Sequence, residues 1–382
     1  MRAIFVKSLV LLSIFLFSSC TPSYSPSSSG VSSSSEESSE PVKTKYGINV
    51  ESEHGDVLLE SNRAEEGKEI TFEIATEFNY FVDKIDIIGR HFSKTIAEKA
   101  DYYSFVMPDE NVTISVTYHK LNKLLKPIGH RGINKGLDEL GNPYWIHSPN
   151  TYNSFFEACK RNVWGMETDV HKTKDDKWVC THDLTINSNG VSKVVSEYTL
   201  DELKAIPMDD QEGTFDADGH VYQDTICSLE DYLLLGKKYK KTCLIEFKES
   251  INTSYLSNED ILSVIDVVKN VSSLENIMFI SFFLEDLLAV QQVEAKAKCQ
   301  YLISGETEET ASQGSINDKV NNAIKYNMDA SFYQNYCSSE NITKVHRANL
   351  MVNCWTINTK AGADIYISRG IDYLTTDSIY YE

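Results

Sequence analysis

This 382-residue chain has no excess of positive charge. It carries 36 Lys and Arg residues and 56 Asp and Glu residues, which give a formal net charge of −20. No nucleic-acid partner is therefore expected, because phosphate backbones attract faces that are rich in Lys and Arg. The charge does not exclude a small phosphate-bearing substrate. A few local cations or a bound metal ion can reverse the electrostatic field inside a cleft.

Metal-binding cysteine pairs are also lacking, since none of the eight cysteines shows C-x-x-C or another zinc spacing. Apart from Cys20, seven remain, and several lie in apolar strand-like runs such as WVCTHD, TCLIEF and VNCWTI. We expect buried free thiols. A disulfide after export is the alternative, but the sequence identifies no pair.

Long apolar runs are absent beyond the N-terminus, so no later segment is expected to cross a bilayer. In residues 1–20, two basic residues precede the apolar run 9–17, and two serines precede Cys20. This order resembles a bacterial lipoprotein signal peptide, with Cys20 as the lipidated first residue of the mature protein. We expect an exported protein that is anchored through Cys20 to the bacterial membrane at the cell envelope. An ordinary secretory signal or a short anchor helix is the alternative.

Two segments of different character follow the signal. Residues 21–42 are Ser-rich with almost no large apolar side chains, which predicts a flexible, disordered tether. Residues 43–121 place β-branched and aromatic residues between turn residues, which predicts a small all-β module. Its end, FVMPDENVTISV at 105–116, resembles the closing strands of the β-rich repeat modules on internalin-like bacterial surface proteins. The resemblance implies a spacer or a binding module; we expect a spacer, with cell-surface polymer contact as the alternative.

Residues 124–382 alternate short apolar runs with helical stretches, from KPIGH at 126–130 to IDYLTTD at 372–377. This alternation predicts a parallel α/β sheet, and over this length it predicts a (β/α)8 TIM barrel. A doubly wound open sheet is the competing fold. Nine candidate strands compete for eight places. The stretch between Val170 and Trp178 is too short for a crossover helix, so we expect one run in that region to be irregular.

Charged side chains gather where the predicted strands end: His130, Arg131, Glu167, Asp169, His182, Glu246 and Lys248. Barrel enzymes place catalytic groups at the carboxyl ends of their strands, so we expect these residues to converge on one mouth. Carboxylate ligands suit a hard cation, Ca²⁺ or Mg²⁺, rather than zinc. Two histidines beside a metal ion and two cationic side chains suit general acid–base attack at a phosphodiester.

At these positions the chain resembles the glycerophosphodiester phosphodiesterase family, in the family's order from about Lys126 to Ser378. The motifs that carry the resemblance are His130-Arg131-Gly132, Asn150-Thr151, Glu167-Thr168-Asp169, Thr181-His182-Asp183, Ile245-Glu246-Phe247-Lys248, Trp355-Thr356-Ile357-Asn358 and GIDYLTTD at 370–377. One departure is Pro149, which stands where the family usually has glutamate.

The resemblance implies roles for the site residues. The implied ligands of one divalent cation are Glu167, Asp169 and Glu246. The implied acid–base pair is His130 and His182. The implied substrate contacts are Arg131 and Lys248 at the phosphate and Trp355 as an aromatic wall, for which a core tryptophan is the alternative.

The expected activity is metal-dependent hydrolysis of glycerophosphodiesters to glycerol 3-phosphate and an alcohol by two-histidine acid–base catalysis. Two alternatives remain open from the sequence. One is a phospholipase D-like enzyme that acts on intact lipid. The other is a surface-binding lipoprotein whose barrel is degenerate, and Pro149 is the one feature that favours it.

Overall fold

The computed structural model describes residues 43–97, 100, 102–120, 125–138, 140–188, 190–206, 224–248, 256–305 and 314–378. The predicted signal peptide at 1–20 and tether at 21–42 lie outside these ranges and stay predictions. Residues 44–382 belong to one compact unit. Within the described ranges no helix combines the length and the apolar character needed to cross a membrane.

A small β-rich region precedes the barrel. Its strands are β1 (Lys45–Glu51), β2 (Gly55–Leu59), β3 (Arg63–Glu65), β4 (Glu69–Thr76), β5 (Tyr80–Ile88), β6 (Ser93–Ile96), β7 (Tyr103–Val106) and β8 (Val112–Lys120). They form two sheets, with strand orders β3-β1-β8-β5-β6 and β2-β4-β7. The sheets share one apolar core, in which Phe72 and Phe105 from the second sheet meet Ile85, Ile87 and Ile114 from the first.

A closed barrel of parallel strands follows. Its strands are β9 (Lys126–Gly129), β12 (Gly165–Lys172), β17 (Thr242–Phe247), β18 (Ile277–Ser281), β19 (Lys298–Ile303), β20 (Asp329–Tyr333), β21 (Val352–Trp355) and β22 (Tyr373–Thr376). Each pairs in parallel with the next, and β9 pairs with both β12 and β22, which closes the sheet. The predicted (β/α)8 barrel is therefore confirmed.

The described helices are α1 (Tyr152–Lys160), α2 (Leu200–Lys204), α3 (Leu229–Lys238), α4 (Asn258–Val271), α5 (Leu284–Val293), α6 (Ile316–Lys325), α7 (Ser339–Arg347) and α8 (Lys360–Arg369). Most begin at a Ser or Thr whose hydroxyl accepts a hydrogen bond from a backbone N–H of the first turn, as Thr151, Ser228 and Ser257 do. Such caps satisfy N–H groups that have no partner inside the helix.

Further short strands lie outside the closed barrel. They are β10 (Lys135–Leu137), β11 (Pro143–Trp145), β13 (Trp178–Cys180), β14 (Thr185–Ser188), β15 (Val191–Val194) and β16 (Cys227–Ser228). The extra run among the nine candidates is WVCTHD at residues 178–183, which begins with β13. This strand lies antiparallel to β12, because the short turn after Lys172 cannot span a parallel crossover. The expected irregular member is therefore this accessory strand.

Two apolar layers hold the barrel together. Outward-facing strand residues pack under the helices with residues such as Phe155, Tyr232 and Val264. Inward-facing residues such as Leu244 and Ile280 form a smaller core inside the barrel. The seven cysteines after Cys20 are all buried and free, as predicted.

The turn that follows β9 brings the backbone close to helix α1. Arg131 and Gly132 have φ of +56° and +82°, in the left-handed region that favours glycine. A Cβ on Gly132 would lie 2.6 Å from the Ser154 hydroxyl and would overlap the Ser154 backbone carbonyl. Both the conformation and the close approach therefore require glycine here.

We predict that Gly132→Ala lowers the free energy of unfolding by more than about 2 kcal/mol, because it combines backbone strain with a backbone clash. Gly141→Ala is the matched control, since Gly141 has φ +81° but no heavy atom within 4 Å of the point where a Cβ would stand. It should cost about 1 kcal/mol. Urea unfolding measures both, and equal losses would contradict the steric argument.

Candidate active site

Three buried carboxylates meet at the carboxyl ends of two neighbouring strands. Glu167 and Asp169 project from β12, and Glu246 projects from β17, where Asp169 and Glu246 are register partners. One carboxylate oxygen from each lies within 4.8 Å of the others. Alternate residues of a strand face the same side, so the pattern E-x-D on β12 places both carboxylates inside the barrel.

Two cationic side chains compensate part of this negative charge. Lys248 Nζ lies 2.6 Å from Glu246 Oε1 and 3.1 Å from Asp169 Oδ1. Arg131 Nε lies 3.3 Å from Asp169 Oδ2, and the Arg131 backbone N–H donates to Glu167 Oε2 at 2.9 Å. Two positive charges therefore face three carboxyl groups in a buried site.

The pKa values of these groups show how the charge is shared. Burial, together with the neighbouring carboxylates Asp169 and Glu246, raises the pKa of Glu167 well above its ordinary value. Burial also raises the pKa of Glu246, to about 7. At Asp169 burial acts in the same direction, but the charges of Lys248 and Arg131 outweigh it and hold the pKa well below its ordinary value.

These carboxylates fit a hard divalent cation. Glu167 Oε1 is buried and has no hydrogen-bond partner among the described residues. A buried oxygen of this kind normally has a partner, and a cation bound by oxygen ligands would provide one. The donor set contains carboxylates and no thiolate or imidazole, which suits Ca²⁺ or Mg²⁺ better than zinc.

Asn150, in the loop before α1, holds the Asp169 carboxylate and the neighbouring Thr168 hydroxyl in place. Its Nδ2 donates to Asp169 Oδ2 at 2.9 Å, and its Oδ1 accepts from Thr168 Oγ1 at 2.9 Å. Asn150 has φ +61°, a conformation that asparagine tolerates better than most residues. These contacts are present although Pro149 replaces the family's glutamate.

His130 is held by the last strand of the barrel. Its backbone N–H donates to the Thr376 carbonyl at 2.7 Å, and its Nδ1 lies 2.7 Å from Asp377 Oδ1. A carboxylate only accepts, so this contact puts the ring proton on Nδ1 and leaves Nε2 for proton exchange. Asp377 also accepts from Lys135 at 3.0 Å and from Asn358 Nδ2 at 2.5 Å.

Asp377 remains ionised under this arrangement. Burial alone would raise the pKa of its carboxyl group, but the hydrogen bond from His130 and the charges of His130 and Lys135 lower the pKa far below its ordinary value. A charged Asp377 is a strong and permanent acceptor for the imidazole. The orientation of His130 therefore does not depend on pH in the neutral range.

His182 reaches the site from an accessory strand. The sequence placed it at the end of a barrel strand, but it follows β13, which runs antiparallel beside β12. Its Nδ1 lies 2.7 Å from Asp183 Oδ1, and its backbone carbonyl accepts from His171 Nε2 at 3.1 Å. Burial lowers the pKa of His182, so its imidazole is neutral near pH 7.

One pocket of about 270 Å³ connects these groups. The sequence-predicted residues that line it are His130, Arg131, Glu167, His182, Glu246, Lys248 and Trp355. Asp169, the eighth, lies just behind, bound to Arg131 and Lys248. Trp355 and Phe282 form a T-shaped aromatic pair with ring centres 5.7 Å apart, so Trp355 is part of the pocket wall.

Three supporting residues were assigned no role from sequence. Asp377 holds His130, Lys135 in turn donates to Asp377, and His171 holds the backbone at His182. Asp377 ends the last barrel strand, so the strand-end rule offered a signal for it. Lys135 lies on the hairpin β10–β11, and nothing in its local pattern indicated a contact with a residue 242 positions later.

Comparisons with known proteins agree with this geometry. The model of the glycerophosphoryl diester phosphodiesterase family matches residues 130–380. An uncharacterized protein from Mycoplasma genitalium is 27% identical over 222 residues, which are 56% of this chain and 84% of that protein.

Solved structures show the same fold at low identity. A glycerophosphodiester phosphodiesterase from Parabacteroides distasonis is 23% identical with a TM-score of 0.50, covering 66% of this chain and 92% of that one. One from Agrobacterium tumefaciens is 15% identical with a TM-score of 0.51, covering 66% and 96%. A phosphodiesterase from Oleispira antarctica, solved in complex with the product sn-glycerol-3-phosphate, is 19% identical with a TM-score of 0.51, covering 66% and 92%.

The family match spans the whole barrel from His130 onward and contains every residue of the cluster described above. This chain belongs to the glycerophosphoryl diester phosphodiesterase family.

Proposed function

We propose that this protein hydrolyses glycerophosphodiesters to glycerol 3-phosphate and an alcohol. The observation that carries the proposal is the single pocket that brings His130 and His182 together with Arg131, Lys248 and the carboxylate cluster. The family match supports the substrate class. The product complex of the Oleispira antarctica phosphodiesterase, which shares the fold, is consistent with it.

Glu167, Asp169 and Glu246 would hold one divalent cation, Ca²⁺ or Mg²⁺. When bound, such a cation neutralises negative charge that develops on the phosphoryl oxygens. Arg131 and Lys248 line the same pocket and add two positive charges for the phosphate. Their ion pairs with the carboxylates keep both side chains in place before the substrate arrives.

The two histidines would divide the proton transfers. The neutral imidazole of His182 suits removal of the proton from the glycerol hydroxyl next to the phosphodiester. That oxygen attacks phosphorus to form a cyclic phosphate, and the bond from phosphorus to the alcohol oxygen breaks. His130 then supplies the proton that the leaving alcohol takes up. Water opens the cyclic phosphate in a second step with the proton transfers reversed.

We also propose that the enzyme works at the cell envelope, anchored through a lipid on Cys20. The support is the signal-like order of residues 1–20, which lie outside the described residues. The Ser-rich segment 21–42 and the β-rich region would then act as a spacer between membrane and barrel. Phosphodiesters outside the cytoplasm would be the accessible substrates.

Metal removal tests the reaction class. We predict that residues 43–382 release glycerol 3-phosphate from glycerophosphocholine and glycerophosphoethanolamine with Ca²⁺ or Mg²⁺, and that EDTA abolishes the release. The cation should also raise Tm more at pH 8 than at pH 6, because protons compete for Glu246 and Glu167, whose pKa values are raised. Turnover that survives EDTA would contradict the metal assignment. A preference for intact phospholipid would favour the phospholipase D-like alternative.

Histidine substitutions test the acid–base pair. We predict that His130→Ala and His182→Ala each lower kcat by at least about 100-fold while the protein stays folded, because each removes one proton-transfer group. His346→Ala is the matched control: His346 forms a similar pair with Asp372 at 2.8 Å, but on the exposed surface of α7. An active His130 or His182 variant would refute the assignment and favour the binding-lipoprotein alternative.

Replacing Cys20 tests the anchor. We predict that Cys20→Ala moves the protein from the membrane fraction to the soluble fraction and leaves kcat/KM unchanged, because the lipid attaches far from the barrel in sequence. Fractionation followed by immunoblotting measures the distribution. Membrane association that persists in this variant would favour a short anchor helix over lipidation.

A further inference from the structure

We propose that Ser331, Asn353 and Thr375 form a subsite that recognises the terminal hydroxyl of the substrate's glycerol group. This inference rests on the proposed hydrolysis of glycerophosphodiesters and adds to it the residues that select glycerol. All three residues line the same pocket as the histidines and the carboxylates.

The pocket has two unlike sides. Its charged groups lie on strands β12 and β17 or directly after β9, β13 and β17. Apolar side chains continue the wall along β17 to β19 with Leu244, Ile280 and Leu302. On the remaining strands, β20 to β22, the polar residues that line the pocket are Ser331, Asn353 and Thr375, and Trp355 lines it at the end of β21. A neutral hydrogen-bonding surface therefore lies inside a pocket that is otherwise charged or apolar.

The three side chains form a connected network. Asn353 Nδ2 donates to Ser331 Oγ at 3.0 Å and to Thr375 Oγ1 at 2.8 Å. Thr375 Oγ1 donates to Asn353 Oδ1 at 3.1 Å. Asn353 and Thr375 are only 3% and 4% exposed, and Ser331 is fully buried. The network fixes the positions of all three groups before a ligand arrives.

The network has hydrogen-bonding capacity left over. Ser331 Oγ accepts from Asn353, and among the described residues no acceptor receives its own proton. Next to Asn353, Gln300 is fully buried, and its Nε2 has no hydrogen-bond partner in the described part of the chain. Gln300 does not line the pocket, whereas Ser331 does. Buried polar groups are almost always paired, so the unmet donor of Ser331 on the pocket wall indicates a polar group that binds there.

The position matches the glycerol chain. Asn353 lies two residues before Trp355 on β21, so it faces the same way and sits about 7 Å deeper in the barrel. If the phosphate on carbon 3 of glycerol stays with Arg131 and Lys248 and the attacking hydroxyl on carbon 2 stays near the histidines, the remaining terminal carbon, carbon 1, points inward. Its hydroxyl, a neutral donor and acceptor, suits the unused capacity of the network.

The test compares two diesters that differ by one hydroxyl. Glycerophosphocholine is the first, and the second carries propane-1,2-diol in place of glycerol, which keeps the attacking hydroxyl and lacks the terminal one. We expect the wild-type kcat/KM to be about 100-fold higher for the glycerol ester than for the analogue. The analogue lacks the terminal hydroxyl, so the hydrogen-bonding groups of the subsite would stay without partners when it binds. Ser331→Ala should lower kcat/KM for the glycerol ester by about 10-fold, mainly through KM, and leave the analogue unchanged.

Ser281→Ala is the matched control. Ser281 is also a fully buried serine on a barrel strand, but its hydroxyl donates to Asp286 Oδ2 at 2.7 Å and does not line the pocket. Its substitution should leave the ratio of the two substrates unchanged even if stability falls. A loss of preference in Ser281→Ala equal to that in Ser331→Ala would attribute the effect to destabilisation and overturn the subsite.

Other outcomes separate the subsite from the proposed function. Equal kcat/KM for both diesters in the wild type, or an equal loss for both in Ser331→Ala, would overturn the subsite and leave the hydrolase assignment intact. If neither diester is hydrolysed, the proposed function fails. Calorimetric titration with glycerol 3-phosphate and with propane-1,2-diol 1-phosphate then decides the subsite alone: tighter binding of the first supports it, and equal or absent binding overturns it.

Discussion

Charge compensation in a buried corner of the barrel organises this site. Glu167, Asp169 and Glu246 lie so close together that burial and mutual repulsion raise the pKa of Glu167 and Glu246, whereas Arg131 and Lys248 hold Asp169 ionised. Removing one partner from such a group leaves an uncompensated charge in a medium that solvates it poorly. The two cationic side chains therefore stabilise the carboxylate cluster, in addition to the phosphate contact that we propose for them.

The surrounding fold fixes the backbone of the two loops that donate hydrogen bonds to this cluster. The turn after β9 has Arg131 and Gly132 at positive φ, and it directs the Arg131 N–H at Glu167. The loop before α1 directs the Asn150 amide at Asp169. Strained backbone conformations are common at functional sites, where surrounding contacts hold them in place. Here the Ser154 backbone packs closely against the turn at Gly132.

Much of the barrel and of its chemical groups could be predicted from the sequence, because both follow local rules. Strand periodicity located the barrel strands, and the rule that catalytic groups follow strand ends located Glu167, Asp169, Glu246 and Lys248. The same rule assigned His182 to the end of a barrel strand, but His182 follows β13, an accessory strand that folds back beside β12. Contacts between distant segments, such as Lys135 with Asp377 and Asn353 with Ser331, have no local sequence pattern. They could not be predicted because they form only when the barrel closes.

The pairing of β22 with β9 joins the two ends of the barrel's sequence at the candidate active site. His130 belongs to the first strand, but its ring and its backbone N–H are held by Asp377 and Thr376 at the end of the last. An elongating chain that lacks those residues has no partner for the His130 ring or for the His130 backbone N–H among the contacts described above. The polypeptide consequently completes the candidate active site only when its final strand docks, so an unfinished chain does not yet hold the assembled site.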